Sequence, residues 1–239
     1  MPISIFSMLG LGLVLGLKHA LDADHLAAVS TMATEGRGLF ASSLIGALWG
    51  LGHTLSLTFA GVLVIVLHFE IGARAGKALE LCVGFMLIAL GVSSLRTLAR
   101  GGKSPLHAHH GDCHRPPHIS KKAQEGVNDT HDRPRLGARP LLVGMVHGLA
   151  GSAAVTVLVF AAIPSPALGL LYLAIFGIGS IGGMVIMSTL FSLPARLTAL
   201  PFARANIVIR GLAGGFSVCF GVFMVYDMAL ALMSGTTNS

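Results

Sequence analysis

Residues 16–30 read GLKHALDADHLAAVS and lie inside an apolar run that begins at Pro2. His19, Asp22, Asp24 and His25 fall within seven residues of a segment otherwise fit for lipid. An ionisable side chain at the bilayer centre costs from roughly 3 to over 10 kcal/mol, depending on the reference state. Such residues face a bundle interior or a wet cavity, and they mark a substrate or ion path. Imidazole nitrogen and carboxylate oxygen are also the donors that suit Ni, Co, Zn and Fe(II).

Spacing refines this. At roughly 100° per residue, His19, Asp22 and His25 share an arc of about 120° on a continuous helix, and Asp24 points away from it. For all four to meet one ion, the helix must unwind around residues 20–24, or a neighbouring span must supply a ligand. Broken helices that gather ligands at mid-membrane are a recurrent transporter device. The competing reading is that these groups only hydrogen-bond neighbouring spans, with Lys18 neutralising one aspartate.

Apolar residues make up 54% of the chain and charged residues 11%, against about 25% charged in soluble domains. With mean hydropathy at +0.79, the chain reads as an all-α polytopic membrane protein. At about 20 apolar residues per span, six segments are expected. They run over about 2–32, 41–68, 78–98, 140–163, 167–193 and 207–233. The first is overlong, which suits a break at the motif. Pro164-Ser165-Pro166 reads as a tight turn. Cys82 and Cys219 fall in spans and Cys113 in a loop, which does not suggest disulfides. No cleavable signal peptide is expected, because the N-terminus lacks basic residues and no small-residue cleavage site ends the first run.

The sequence pI of 9.7 does not point to nucleic acid, because the basic residues gather on one side of the expected spans. With six spans both termini share a side, and that side carries only Arg74 and Lys77. Arg37, Arg96, Arg100, the basic residues from Lys103 to Arg139, Arg196, Arg204 and Arg210 fall on the other. That side is expected to be cytoplasmic, both termini outside, and anionic lipid head groups the partners of the charge. Asp227 is expected at the interface.

An internal repeat divides the chain into a first three-helix unit over 1–98, a loop over 99–139 and a second unit over 140–239. GLKHALDADHLAAV aligns with GMVHGLAGSAAVTV, pairing His19 with His147. LWGLGHT aligns with IFGIGSI, pairing His53 with Ser180, while Gly84 and Gly91 pair with Gly214 and Gly221. Three spans per unit force the two into opposite orientation, an inverted repeat. The second unit keeps His147 but has Ala150, Ser152 and Ala153 where the first has Asp22, Asp24 and His25. An ion site would therefore be asymmetric, built by the first unit and completed by His53 and His147. The bland reading of His147 is a packing histidine, with Gly148, Gly151 and Ser152 beside it allowing close helix approach.

The loop carries LHAHHGDCHRPPH, with His107, His109, His110, Cys113, His114 and His118 as candidate accessory ligands. His-rich tracts take late transition metals without fixed geometry. Capture or buffering of metal is the expectation here, against a solvated linker of biased composition.

The HALDADHL stretch, with four residues between His19 and Asp24-His25, resembles the signature of the nickel/cobalt permease family (NiCoT) and its UreH-like relatives. WGLGHTLSL around His53 is similar to that family's Leu-Gly-His-Ser stretch in the following span. Leu26 and Thr54 depart from the family's usual residues. The resemblance covers about the first quarter of the chain and implies transport of Ni(II) or Co(II) as substrate, with no resident cofactor.

The reading is then a plasma-membrane permease, not an enzyme, holding a divalent ion by His19, Asp24 and His25, with Asp22, His53 and His147 adjoining. No nucleotide-binding motif such as a P-loop is present, so ion gradients or a partner would supply energy. Urease or hydrogenase maturation proteins, or a metallochaperone, are possible partners, and a sensor or accessory chaperone for such assembly is a further reading. Oligomeric state is not legible. A metal exporter is the rival within transport. An intramembrane zinc hydrolase, with an aspartate activating water, is the rival from another class.

Overall fold

With no water in a bilayer to pair backbone groups, apolar runs of this length must satisfy their N–H and C=O groups internally and so form helices. The computed structural model describes residues 5–33, 38–67, 72–100, 138–160, 165–198 and 203–234, and among them every regular element is helical. In chain order these are α1 (Ile5–His19), α2 (Ala23–Ala33), α3 (Leu39–Leu67), α4 (Ala73–Ala99), α5 (Arg139–Phe160), α6 (Pro166–Leu197) and α7 (Ala203–Ser234). The chain is a polytopic membrane protein. Among the described residues α3, α4, α6 and α7 are each long and apolar enough to cross a membrane, and α1 with α2 makes a fifth span if the bent pair is one crossing. The fourth expected segment, over about 140–163, overlaps α5, which is not one of these candidate spans, so the described residues show four or five crossings where six were expected.

The first expected span is broken where the ionisable residues fall. α1 and α2 meet at a bend of 57°. Leu21 N donates to Lys18 O (2.9 Å) and Asp22 N to His19 O (3.0 Å), tightening the end of α1. Leu26 N then donates to Asp22 O (3.0 Å), which opens α2. The break occupies residues 20–22, so Asp24 lies in the first turn of α2 rather than in unwound chain. Across this break His19, Asp22 and His25 do not share the one face that a continuous helix would give them.

Packing joins the two ends of the chain. α4 lies along α7, α3 against both α5 and α6, and α1 against α6, with α2 among α4, α6 and α7. Glycines set how closely these pairs approach. A Cβ at Gly144 would strike Trp49 O and His53 N, and one at Gly52 would strike Leu141 O. The corresponding positions repeat the pattern: Gly16 lies against Phe176 O and Ser180 N, and Gly179 against Leu13 O. In α4 and α7, Gly84 faces Gly221 O and Gly91 faces Gly214 O. These two glycine contacts between α3 and α5 thus have counterparts between α6 and α1. Small residues are the means by which helices associate closely in lipid, where no hydrophobic force drives them together.

The interior around the break is filled by Trp49, Leu87, Val83, Val29, Ala27, Ala28 and Met184. Large apolar side chains such as Phe6, Phe59, Leu212, Phe223 and Tyr226 lie on the outside, where a bilayer would meet them. Cys82 and Cys219 are exposed free thiols, as expected of cysteines in spans. Asp227 is exposed near the end of α7. Lys77 reaches across to α7, where its Nζ donates to Ala231 O (3.0 Å).

Candidate metal centre

The break turns one helix into two ends that face a common point. His19 is the last residue of α1, while Asp24 and His25 are in the first turn of α2. α3 brings His53 and α5 brings His147, held near each other because Gly144 and Gly148 let α5 ride on the α3 backbone. His25, His53 and His147 are buried, with His25 and His53 at 0% exposure. His19 and Asp24 are partly open.

The imidazoles crowd one another. Ring centroids of His25 and His147 are 4.1 Å apart, those of His19 and His25 4.5 Å, and His53 lies 5.2 Å from both His19 and His25. Asp24 joins two of these rings: one oxygen is 2.8 Å from His147 Nε2 and the other 3.1 Å from His25 Nδ1. Its Oδ1 also accepts from the His25 backbone N–H at 2.9 Å. The donors fall into two groups, His19/His25/His53 and Asp24/His25/His147, and within each group the ligand atoms all lie within 4.8 Å of one another.

Several donor atoms here have no protein partner. His25 Nε2, both nitrogens of His53 and His147 Nδ1 are buried without a hydrogen bond among the described residues. A buried unsatisfied polar group costs about 1–3 kcal/mol, so helix-to-helix hydrogen bonding does not account for this cluster. A divalent late transition metal fits the vacant nitrogens, and one carboxylate among four imidazoles favours such ions over Mg(II) and Ca(II), which prefer oxygen.

Asp22 stands apart. Its carboxylate pairs with His19 Nδ1 at 2.7 Å, but its side chain is half exposed and belongs to neither donor group. It orients the His19 ring from outside, a role that carboxylates commonly take toward metal-ligating histidines. Lys18 is exposed, and the aspartates are partnered by imidazoles. His107, His109, His110, Cys113, His114 and His118 lie outside the described residues, as do the side chains of Ser152 and Ala153.

Two aromatic walls went unread in the sequence. Trp49 lies 5.4 Å from His25 and 5.8 Å from His147, and Phe176 lies 5.5 Å from His19. A signal existed, because Trp49 is four residues before His53 and therefore on its face of the helix. Trp49 and Phe176 are also partners in the aligned LWGLGHT and IFGIGSI blocks. Thr54, which departs from the family stretch, faces the other way and donates to Gly177 O (3.3 Å) on α6.

The sequence is similar to known proteins along nearly its whole length. The family model described as cytochrome C biogenesis protein transmembrane region matches residues 12–223. Urease accessory protein UreH of Bacillus sp. (strain TB-90) is 33% identical over 229 residues, covering 95% of this chain and 94% of that protein. Chloroplast proteins FOR GROWTH AND FERTILITY 2 and 1 of Arabidopsis thaliana are each 28% identical over 178 residues, 72% of this chain and 44% and 46% of theirs. No solved structure matches. The chain belongs to the cytochrome C biogenesis protein transmembrane region family, with UreH as an end-to-end relative.

Proposed function

We propose that this protein is a membrane permease for a divalent transition-metal ion, Ni(II) or Co(II), and not an enzyme. The observation that carries the reading is the set of buried imidazole nitrogens without partners, gathered with Asp24 at a helix break inside a membrane bundle. The similarity to a protein named for urease accessory function adds nickel as the first metal to test. His19, Asp24, His25, His53 and His147 hold the ion, and Asp22 steadies His19. The units 1–98 and 140–239 are inverted repeats, and the histidine-rich loop over 99–139 faces the cytoplasm as an accessory metal-capturing segment.

Purified protein in liposomes, offered Ni(II), Co(II), Zn(II) and Mn(II) in turn, tests the reading. Uptake of Ni(II) or Co(II) above protein-free liposomes is expected. Failure to move any of the four would favour an accessory or sensing role. Direction in the cell follows from radioactive nickel: accumulation means import and depletion means export.

A further inference from the structure

The donors number five, yet they do not form one shell. They form two triads that share a single residue, His25. One triad, His19/His25/His53, is all nitrogen and comes wholly from the helices before the loop. The other, Asp24/His25/His147, carries a carboxylate and takes His147 from α5, beyond the loop. Each triad has two buried members and one partly open member, His19 in the first and Asp24 in the second.

His25 is suited to serve both. An imidazole has two ring nitrogens on different edges, and either can ligate a metal. The Nδ1 edge of His25 is beside Asp24, whereas Nε2 is buried and unpartnered. Both nitrogens of His53 are likewise vacant, so the first triad keeps free donors even while Asp24 bridges His25 and His147.

We propose that the centre is two adjoining metal positions hinged on His25, and that the ion crosses by passing from one triad to the other. This rests on the permease reading above. An ion leaving His19 and His53 passes from the Nε2 edge of the His25 ring to its Nδ1 edge, where Asp24 and His147 take hold, so one imidazole serves both positions in turn. Conduction needs sites favourable enough to enter and weak or multiple enough to leave. Two incomplete triads meet that need better than one five-donor cage, which would hold the ion too tightly. The positions also differ in charge: the first is neutral, and the second carries the Asp24 carboxylate.

The test uses the full chain purified in detergent, with Ni(II) as the probe. Calorimetry counts bound ions, and X-ray absorption at the nickel edge counts coordinated imidazoles. His53→Ala should still bind one Ni(II), now with two imidazoles and a carboxylate. His147→Ala should also bind one, with three imidazoles. His25→Ala should bind none. Transport should fall at least ~10-fold in all three, since losing even a residue that only supports a ligand costs about that much. His53→Gln and His147→Gln replace any alanine variant that does not elute as a monodisperse protein. Trp49 is the chain's single tryptophan and lies beside the second triad, so its quenching by Ni(II) should survive His53→Ala. Loss of all Ni(II) binding in folded His53→Ala or His147→Ala, or the same nickel spectrum in both, would sink the two-position inference. Wild-type transport would then leave the permease reading standing. Wild-type protein that neither binds nor moves Ni(II) or Co(II) would sink both.

Discussion

At the scale of single residues, burial separates the two aspartates of the motif. Asp22 and Asp24 look alike in HALDADHL, but Asp24 bridges two buried rings while Asp22 stands half exposed beside His19. Asp24→Asn and His25→Ala should therefore abolish metal uptake. Folding stability without metal should change little in Asp24→Asn, which keeps an oxygen acceptor between the two rings, and should fall in His25→Ala, which empties a buried site and leaves Asp24 one partner short. Uptake assays alongside thermal melting of the purified variants check both halves of that statement. Asp22→Asn should be gentler, weakening metal affinity about 10–100-fold through loss of His19 orientation. Equal loss from Asp22→Asn and Asp24→Asn in a titration with Ni(II) would contradict this ranking. The sequence alone could say which residues were costly in lipid, since that depends only on residue type and hydropathy. It placed Asp24 among the ligands and Asp22 beside them, but it could not assign their burial, because burial depends on where the helix stops.

Helices raise a different question, which is how closely they can lie. α5 rides on α3 through Gly144 and Gly148, and α1 on α6 through Gly16 and Gly179. A side chain at Gly144 or Gly16 meets backbone atoms that cannot rotate away. Overpacking costs typically 1–3 kcal/mol, and backbone contacts sit at or above the upper end. Gly144→Val and Gly16→Val should sharply lower the amount of folded protein in membranes and its melting temperature. Gly10→Val and Gly215→Val, where nothing lies within 4 Å of the added carbon, should be tolerated. Fluorescence-detected size exclusion of the four variants checks the contrast. Gly16 and Gly144 were already paired by the aligned blocks, so the symmetry of these contacts was legible. Their partners, the carbonyls of Trp49 and Phe176, were not, because alignment relates equivalent positions and does not say which helices touch.

For the molecule as a whole, two expectations rest on charge and composition. Replacing residues 106–118 with a Gly/Ser linker should leave transport detectable with weaker apparent affinity, since the imidazoles of the membrane centre are elsewhere in the chain. Transport lost completely at normal membrane abundance would put the essential site in the loop. The lysine and arginine asymmetry predicts residue 165 outside and residue 120 in the cytoplasm. Single cysteines at these positions, challenged in intact cells with a membrane-impermeant thiol reagent on a cysteine-free background, should label at 165 and not at 120. The apolar character and helical class of the chain could be read at once, because hydropathy is a property of each segment. The partnership of helices could not, because it joins segments far apart. That partnership has a consequence for how the protein comes into being. α4 finds its mate in α7, while α3 finds its mates in α5 and α6, all made later in synthesis. The first half of a nascent chain must therefore wait in the bilayer as loosely associated helices. A chain that stops before α5 lacks His147 and the helices against which α3 and α4 pack most extensively.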